Sequence, residues 1–261
     1  MYEAFVQRTR IGRIWPVTTP SPTDSVWLRA AKKPRSEPGL TRDAVVSAAV
    51  ELMDEGGVAA LSMRKLAARL NSAPMTLYTY VDTKADILEF ALDGVFTEML
   101  TAAVRSDWWE DDLTAMAQEM FEVFLRHPWA PALLGSKPPI GPAAVAHLGM
   151  ILEVLSDAGL GDGDLESALA AYYYYVLGAA TAETVWMQAG RPLSTIADDE
   201  LLSALTSADG RDTAPVIDFY RASPPTEPGR RFLLGLRRII DGLRPIAAGG
   251  HNSVAVDSPR H

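Results

Sequence analysis

Residues 61–84 read Leu61-Ser62-Met63-Arg64-Lys65-Leu66-Ala67-Ala68-Arg69-Leu70-Asn71-Ser72-Ala73-Pro74-Met75-Thr76-Leu77-Tyr78-Thr79-Tyr80-Val81-Asp82-Thr83-Lys84. The stretch encodes two short amphipathic helices joined by a tight polar turn. Ser62 is placed to accept a free first-turn N–H and open the first helix. Met63, Leu66, Ala67 and Leu70 recur at helical spacing and define its apolar face. Asn71 tolerates the left-handed conformation that a helix stop needs. The second helix begins two or three residues later, with Ser72 expected as its cap. Pro74 fits the first turn, where a missing N–H costs nothing. Leu77 and Val81 are four apart and dock inward. Met75, Thr76, Tyr78, Thr79 and Tyr80 are left for the other faces. In a major groove such side chains contact thymine methyls, base edges and phosphates.

Upstream, Thr41 is expected to cap a helix that buries Val45, Ala49, Leu52 and Met53 and ends at Gly56-Gly57. One helix followed by a helix-turn-helix matches a geometry in which the second helix of the pair enters the groove. The rival reading of the same pattern is a small three-helix packing unit with no nucleic-acid role.

Beyond the pair the periodicity stays helical. Thr83 and Asp86 form a capping box. It opens a long helix with Leu88, Ala91, Leu92, Val95 and Met99 on one face, expected to reach about residue 104. Further helices are expected at 111–127, 142–158, 164–189 and 229–244, some separated by Gly159–Gly163 and Gly190-Arg191-Pro192. Residues 190–213 hold only a short helix candidate. No segment alternates as a strand, so the chain reads as all-α. Tyr172-Tyr173-Tyr174-Tyr175 lie in one helix. Four consecutive residues point around most of its circumference and cannot share a destination.

The chain has 261 residues and a formal charge of −9, but residues 1–84 hold 12 Lys and Arg against 8 Asp and Glu. A basic end on an acidic body is the electrostatic signature of a DNA-binding head. Cysteine is absent, which excludes disulfides and thiolate metal sites. No apolar run is long enough to span a bilayer, and no apolar segment follows Arg8, Arg10 and Arg13 as a secretory signal would require. A cytoplasmic protein is expected. Residues 1–39, with Pro16, Pro20, Pro22, Pro34 and Pro38, read as a basic extension rather than a domain. Arg29, Lys32, Lys33 and Arg35 suit an arm on phosphates, or the segment is a solvated leader. Trp15 and Trp27 are the residues that could dock it onto the core. The four histidines, His127, His147, His251 and His261, are scattered without metal-ligand spacing. No phosphate loop or nucleophile elbow is present. An enzyme is not expected, nor a cofactor. His147 reads as a polar pocket or core residue.

Residues 40–96 resemble the DNA-binding domain of TetR-family transcriptional repressors. The resemblance is carried by Ala48-Ala49-Val50-Glu51-Leu52 with Gly56-Gly57, Leu61 to Ala67, and Thr76-Leu77-Tyr78-Thr79-Tyr80-Val81 with Lys84. Arg126-His127-Pro128, Leu134 to Pro138 and Phe232 to Leu236 are similar to the tetracycline-repressor type of C-terminal domain. The resemblance implies a helix-turn-helix domain at 40–84, a ligand-binding and dimerisation bundle at 85–246, and a flexible tail at 247–261. It implies that Arg64, Met75, Thr76 and Tyr78 reach bases, while Ser62, Thr79, Tyr80 and Lys84 hold phosphates. It implies a homodimer paired through the helices at 164–189 and 229–244, with Leu236 at the seam. Phe232, Ile239, Ile240 and Leu243 lie on that last helix too.

Two departures matter. Leu133 stands where tetracycline repressors carry a histidine for the magnesium–drug complex, so no metal is expected. Pro74 stands where they carry an adenine-reading glutamine, so the operator should differ. The expected effector cavity lies between the central helices, lined by Met116, Met120, Phe124, Leu133, Tyr173 and Leu177. Methionine suits an adaptable apolar pocket. The expected function is a repressor released from a palindromic operator by a small hydrophobic molecule. The alternatives are a ligand-independent activator or architectural protein, or an all-α enzyme or carrier with a vestigial head.

Overall fold

Thr41 starts the head as its side chain predicts. Its Oγ1 accepts the Ala44 N–H at 3.1 Å and opens α1, Arg42–Ala60. The structure, a computed structural model, describes residues 25–29, 40–101, 105–188, 215, 218 and 227–247. The glycine pair breaks α1 as a kink, not as a clean end. Gly57 sits at φ +68° and ψ −177°, a conformation that side-chain-bearing residues avoid, and one further turn follows to Ala60.

Ser62 Oγ accepts the Lys65 N–H at 3.2 Å and opens α2, Met63–Arg69. Asn71 then takes the left-handed conformation at φ +48°. The next helix, α3, is only Pro74–Leu77, and its cap position is Ala73 rather than Ser72. Proline forces the residue before it into extended backbone. Ala73 therefore takes the cap position without a side-chain bond, and the Ser72 hydroxyl turns to the Ala73 carbonyl at 3.4 Å. The chain keeps winding past Leu77, whose carbonyl accepts the N–H groups of Tyr80 and Val81 at 2.9 and 3.1 Å.

The capping box forms: Thr83 N–H donates to Asp86 Oδ2 at 3.2 Å and Asp86 N–H to Thr83 Oγ1 at 3.1 Å. It opens α4, Lys84–Thr101. Among the described residues the further helices are α5 (Trp109–Arg126), α6 (Ala130–Leu134), α7 (Pro142–Asp157), α8 (Asp162–Gln188) and α9 (Pro228–Ala247). No strand occurs among the described residues. The periodic segments lie within a few residues of their expected bounds. The short α6 was not anticipated, because five residues with a proline show no periodic face. The helix candidate within 190–213, the tail from 248, and Trp15, Lys32, Lys33 and Arg35 lie outside the described residues.

Helix α4 joins the two halves, packing on α1 in the head and on α7 in the body. Helix α5 is the hub of the body, in contact with α4, α7, α8 and α9. Its Leu113, Met116, Ala117, Met120, Phe121, Val123 and Phe124 are all buried. Each large side chain so buried contributes about 1.5–3 kcal/mol. The four tyrosines divide as their angular spread requires. Tyr172 is fully buried and donates to the Leu113 carbonyl at 3.0 Å. Tyr175 donates to the Phe232 carbonyl at 2.7 Å and stacks on the Phe232 ring, tying α8 to α9. Tyr174 is exposed, and Tyr173 turns toward a cavity.

Candidate nucleic-acid interface and effector cavity

The outer faces of α2 and α3 form the candidate reading surface. Arg64 and Lys65 are exposed on α2, with no ion pair to another described residue. Met75 is 75% exposed and Tyr78 40%, both large apolar side chains left outside a well-packed head. Thr76 is half-buried, and the Thr79 hydroxyl donates to the Thr76 carbonyl at 2.6 Å, which orients it on the last turn. Ser62, half-buried, has its oxygen engaged as the cap of α2. Arg69, by contrast, is bound to Glu51 and Glu55 of α1 and braces the head. Lys65 was not singled out in the sequence, although an exposed cation next to Arg64 is the signal that finds it.

Tyr80 requires a correction. It is 7% exposed, its ring packs in the head core, and its hydroxyl is buried without a protein partner among the described residues. The three turn residues after Leu77 stay helical, and this rotates Tyr80 to the same side as Leu77 and Val81. It does not reach the surface where a phosphate would lie. Lys84 does lie beside the head, with Nζ donating to the Val58 carbonyl at 3.4 Å. A cation on the first turn of a helix is disfavoured by about 0.3–1 kcal/mol, so its placement points to a role other than stabilising α4.

Helix α4 is clamped along its length. At its start Arg29 pairs with Asp86. Burial pulls the Asp86 carboxyl upward, but the bonds from Thr83 and Arg29 outweigh this and hold it below the usual carboxylate value. One turn on, Glu89 accepts from Ser25 Oγ at 2.5 Å, Val26 N–H at 3.0 Å and Lys137 Nζ at 3.1 Å. Trp27 meets Phe90 edge to face at 5.1 Å, so this tryptophan docks the extension onto α4. Farther along, Asp93 Oδ1 accepts the Ala143 and Ala144 N–H groups at 3.0 Å each and caps α7. Burial raises the Asp93 carboxyl above its ordinary value, and the two N–H bonds offset part of that. Gly141 is obligatory here, because a Cβ would lie 2.2 Å from Asp93 Oδ1. At the far end His127 lies between Asp54 of α1, at 2.8 Å, and Glu98 of α4, at 3.1 Å. Trp129 Nε1 donates to the same Asp54 at 2.7 Å. Head, α4 and body meet at this point.

A cavity of about 320 Å³ opens between α4, α7 and α8. Phe96, Ala144, His147, Leu148, Leu169 and Tyr173 line it, with Pro139, Ala170 and Tyr174 beside them and Glu166 at the exposed edge. Only Tyr173 of the six expected lining residues borders it. Met116, Met120, Phe124 and Leu133 are buried in the core and do not line this cavity, and Leu177, a turn beyond Tyr173, is half-buried outside the lining. The reason is the position of α5: surrounded by four helices, it fills the centre, and the void falls where α7 and α8 diverge. His147 is 2% exposed, and burial pushes its imidazole down to about 4. Burial pushes the Tyr173 phenol up to about 12. Both groups are therefore neutral near pH 7.

Residues 45–91 match the family described as bacterial regulatory proteins, tetR family. Residues 103–246 match the family described as tetracyclin repressor-like, C-terminal domain. The chain belongs to the TetR family of transcriptional regulators. Among its relatives, an HTH-type transcriptional regulator of Saccharopolyspora erythraea is 46% identical over 162 residues, covering 62% of this chain and 69% of the relative. The HTH-type transcriptional repressor DrrR1 of Streptomyces coeruleorubidus is 35% identical, covering 81% of this chain and 80% of the relative. Among solved structures, the TetR-family protein ActR of Streptomyces coelicolor in complex with actinorhodin superposes with a TM-score of 0.67 at 25% identity, covering 82% of this chain and 99% of that one.

As a TetR-family regulator the chain binds DNA through the head described above. Leu133 is a buried aliphatic side chain on α6. No helix among the described residues is long and apolar enough to cross a membrane.

Proposed function

We propose that the protein is a homodimeric repressor that holds a palindromic operator through α2 and α3 of two copies and lets go when a small, mostly apolar molecule enters the cavity. The observation that supports this reading is α4. One helix begins with Lys84 against the head, carries Asp93 as the cap of α7, and places Phe96 in the cavity wall. A ligand that moves α7 against α8 therefore acts on the element that positions the head. Reversing occupancy from 99:1 to 1:99 requires the ligand to favour the released form by about 5.5 kcal/mol.

Two-fold pairing through α8 and α9 is supported by Val185 and Met187 on α8 and Leu234 on α9, all more than half exposed. The seam cannot include Leu236, which is 1% exposed and faces its own core with Phe232, Ile240 and Leu243. Leu234→Glu, at 56% exposure, is the substitution that separates the copies without unfolding them. A self-complementary interface receives that charge twice.

Binding to DNA from the region beside the gene, followed by fluorescence anisotropy, tests the reading. Arg64→Ala should alter sequence preference by about 1–3 kcal/mol. Lys84→Ala should weaken all sequences alike and flatten the salt slope by about one unit. Unchanged preference in Arg64→Ala would remove α2 and α3 as the reading surface.

A further inference from the structure

Two residues that line the cavity carry buried polar atoms that the protein itself does not satisfy. His147 Nδ1 and the Tyr173 hydroxyl have no hydrogen-bond partner among the described residues, and both residues line the same void. Buried polar groups are nearly always paired. Unpaired, they weaken the fold, and such local costs concentrate at functional sites. The remainder of the wall is apolar and rich in rings, with Phe96 and the Tyr174 ring beside His147 and Tyr173.

We propose that His147 and Tyr173 are the paired hydrogen-bonding anchor for an effector that is a neutral, flat aromatic molecule carrying a hydroxyl and a carbonyl. This deepens the effector reading above and rests on it. A neutral imidazole presents one N–H and one lone pair, and a phenol both donates and accepts. A ligand that offers both a donor and an acceptor pairs both atoms whichever tautomer the imidazole takes. Among the described residues no Lys or Arg lines the cavity, and the one acid among them, Glu166, lies at the exposed edge. A buried anion would have nothing to offset its desolvation. The ring-lined walls favour stacking and edge contacts with a flat aromatic. At about 320 Å³ the space is at the lower end for small-molecule sites, which suits two or three fused rings.

The test uses three probes on one skeleton with the full-length protein: 2-hydroxyfluoren-9-one, fluorene, and 9-oxofluorene-4-carboxylate. Binding is followed by fluorescence. The hydroxyketone should bind best and the carboxylate should not bind. Tyr173→Phe and His147→Leu should each weaken the hydroxyketone about tenfold and leave fluorene unchanged. Tyr173→Phe should also raise the melting temperature of the unliganded protein, because it removes an unpaired buried hydroxyl. A purely structural tyrosine would lower it. Ala170→Phe, which fills the void, should abolish binding of every probe. If hydroxyketone binding persists in Ala170→Phe, the cavity itself is misassigned. If binding is lost there but Tyr173→Phe and His147→Leu bind as wild type, the cavity stands and the anchor is overturned. Preference for the carboxylate, or no binding of any probe to the wild type, overturns the ligand class.

Discussion

The head and the body spend their polar groups in opposite ways. In the head, the buried Tyr80 hydroxyl apart, they cap helices or face outward: Thr41 and Ser62 close helix starts, and Arg64 and Lys65 are exposed. In the body, two polar groups are buried against a void with no protein partner. A surface that reads DNA is satisfied by water before it is satisfied by bases, so its residues can be set by local pattern. In the proposed effector site, by contrast, the polar groups stay unpaired until a ligand arrives. The head's information is therefore written along one helix at a time, whereas the body's arises from where helices separate.

Four substitutions can break or sharpen that contrast. The largest effect belongs to a buried core residue that the sequence placed in the cavity wall. Phe124→Ala should destabilise the protein by about 3–5 kcal/mol in urea unfolding, with fluorene affinity unchanged. A small stability loss with lost binding would put Phe124 back in the wall.

Next is the pH response of His147. Its folded value is lowered from 6.5 to about 4, so below pH 6.5 the unfolded chain takes up a proton that the folded one refuses. Stability should fall as pH drops from about 6.5 to about 4, and this group accounts for about 3 kcal/mol across that window. Denaturation midpoints measured across this range should show a flatter slope in His147→Leu. An identical slope would mean the imidazole is not held neutral by burial.

A smaller, local effect is expected in the head. Thr41→Ala removes only the cap of α1 and should cost about 1 kcal/mol, with the cavity probes unaffected. A large change in probe affinity would show that the head and cavity are coupled even at the first helix. Smallest of all is Tyr80→Phe. It deletes a buried, unpaired hydroxyl, so operator affinity and salt slope should stay at wild-type values in anisotropy titrations. A weakened complex would restore Tyr80 to the phosphate contacts.

The all-α class, the helix-turn-helix, the capping residues Thr41, Ser62 and Thr83, and the bounds of the long helices were legible from the sequence. So were the splitting of the tyrosine run and the docking of Trp27. Each depends on contacts within a few residues or on a fixed angular period, which sequence order already contains. Four matters were decided by the tertiary structure. Proline at 74 moved the cap to Ala73, and continued winding past Leu77 turned Tyr80 inward. Leu236, expected on an outer face of α9, is buried in its own core, and Leu234 is the exposed residue there. The cavity moved from α5 to the gap between α7 and α8. A period shows which face of a helix is apolar, but not whether that face meets another helix, a second copy or a void. That depends on how helices far apart in sequence pack, and here α5 takes the centre while Asp93 of α4 holds the start of α7 beside Gly141.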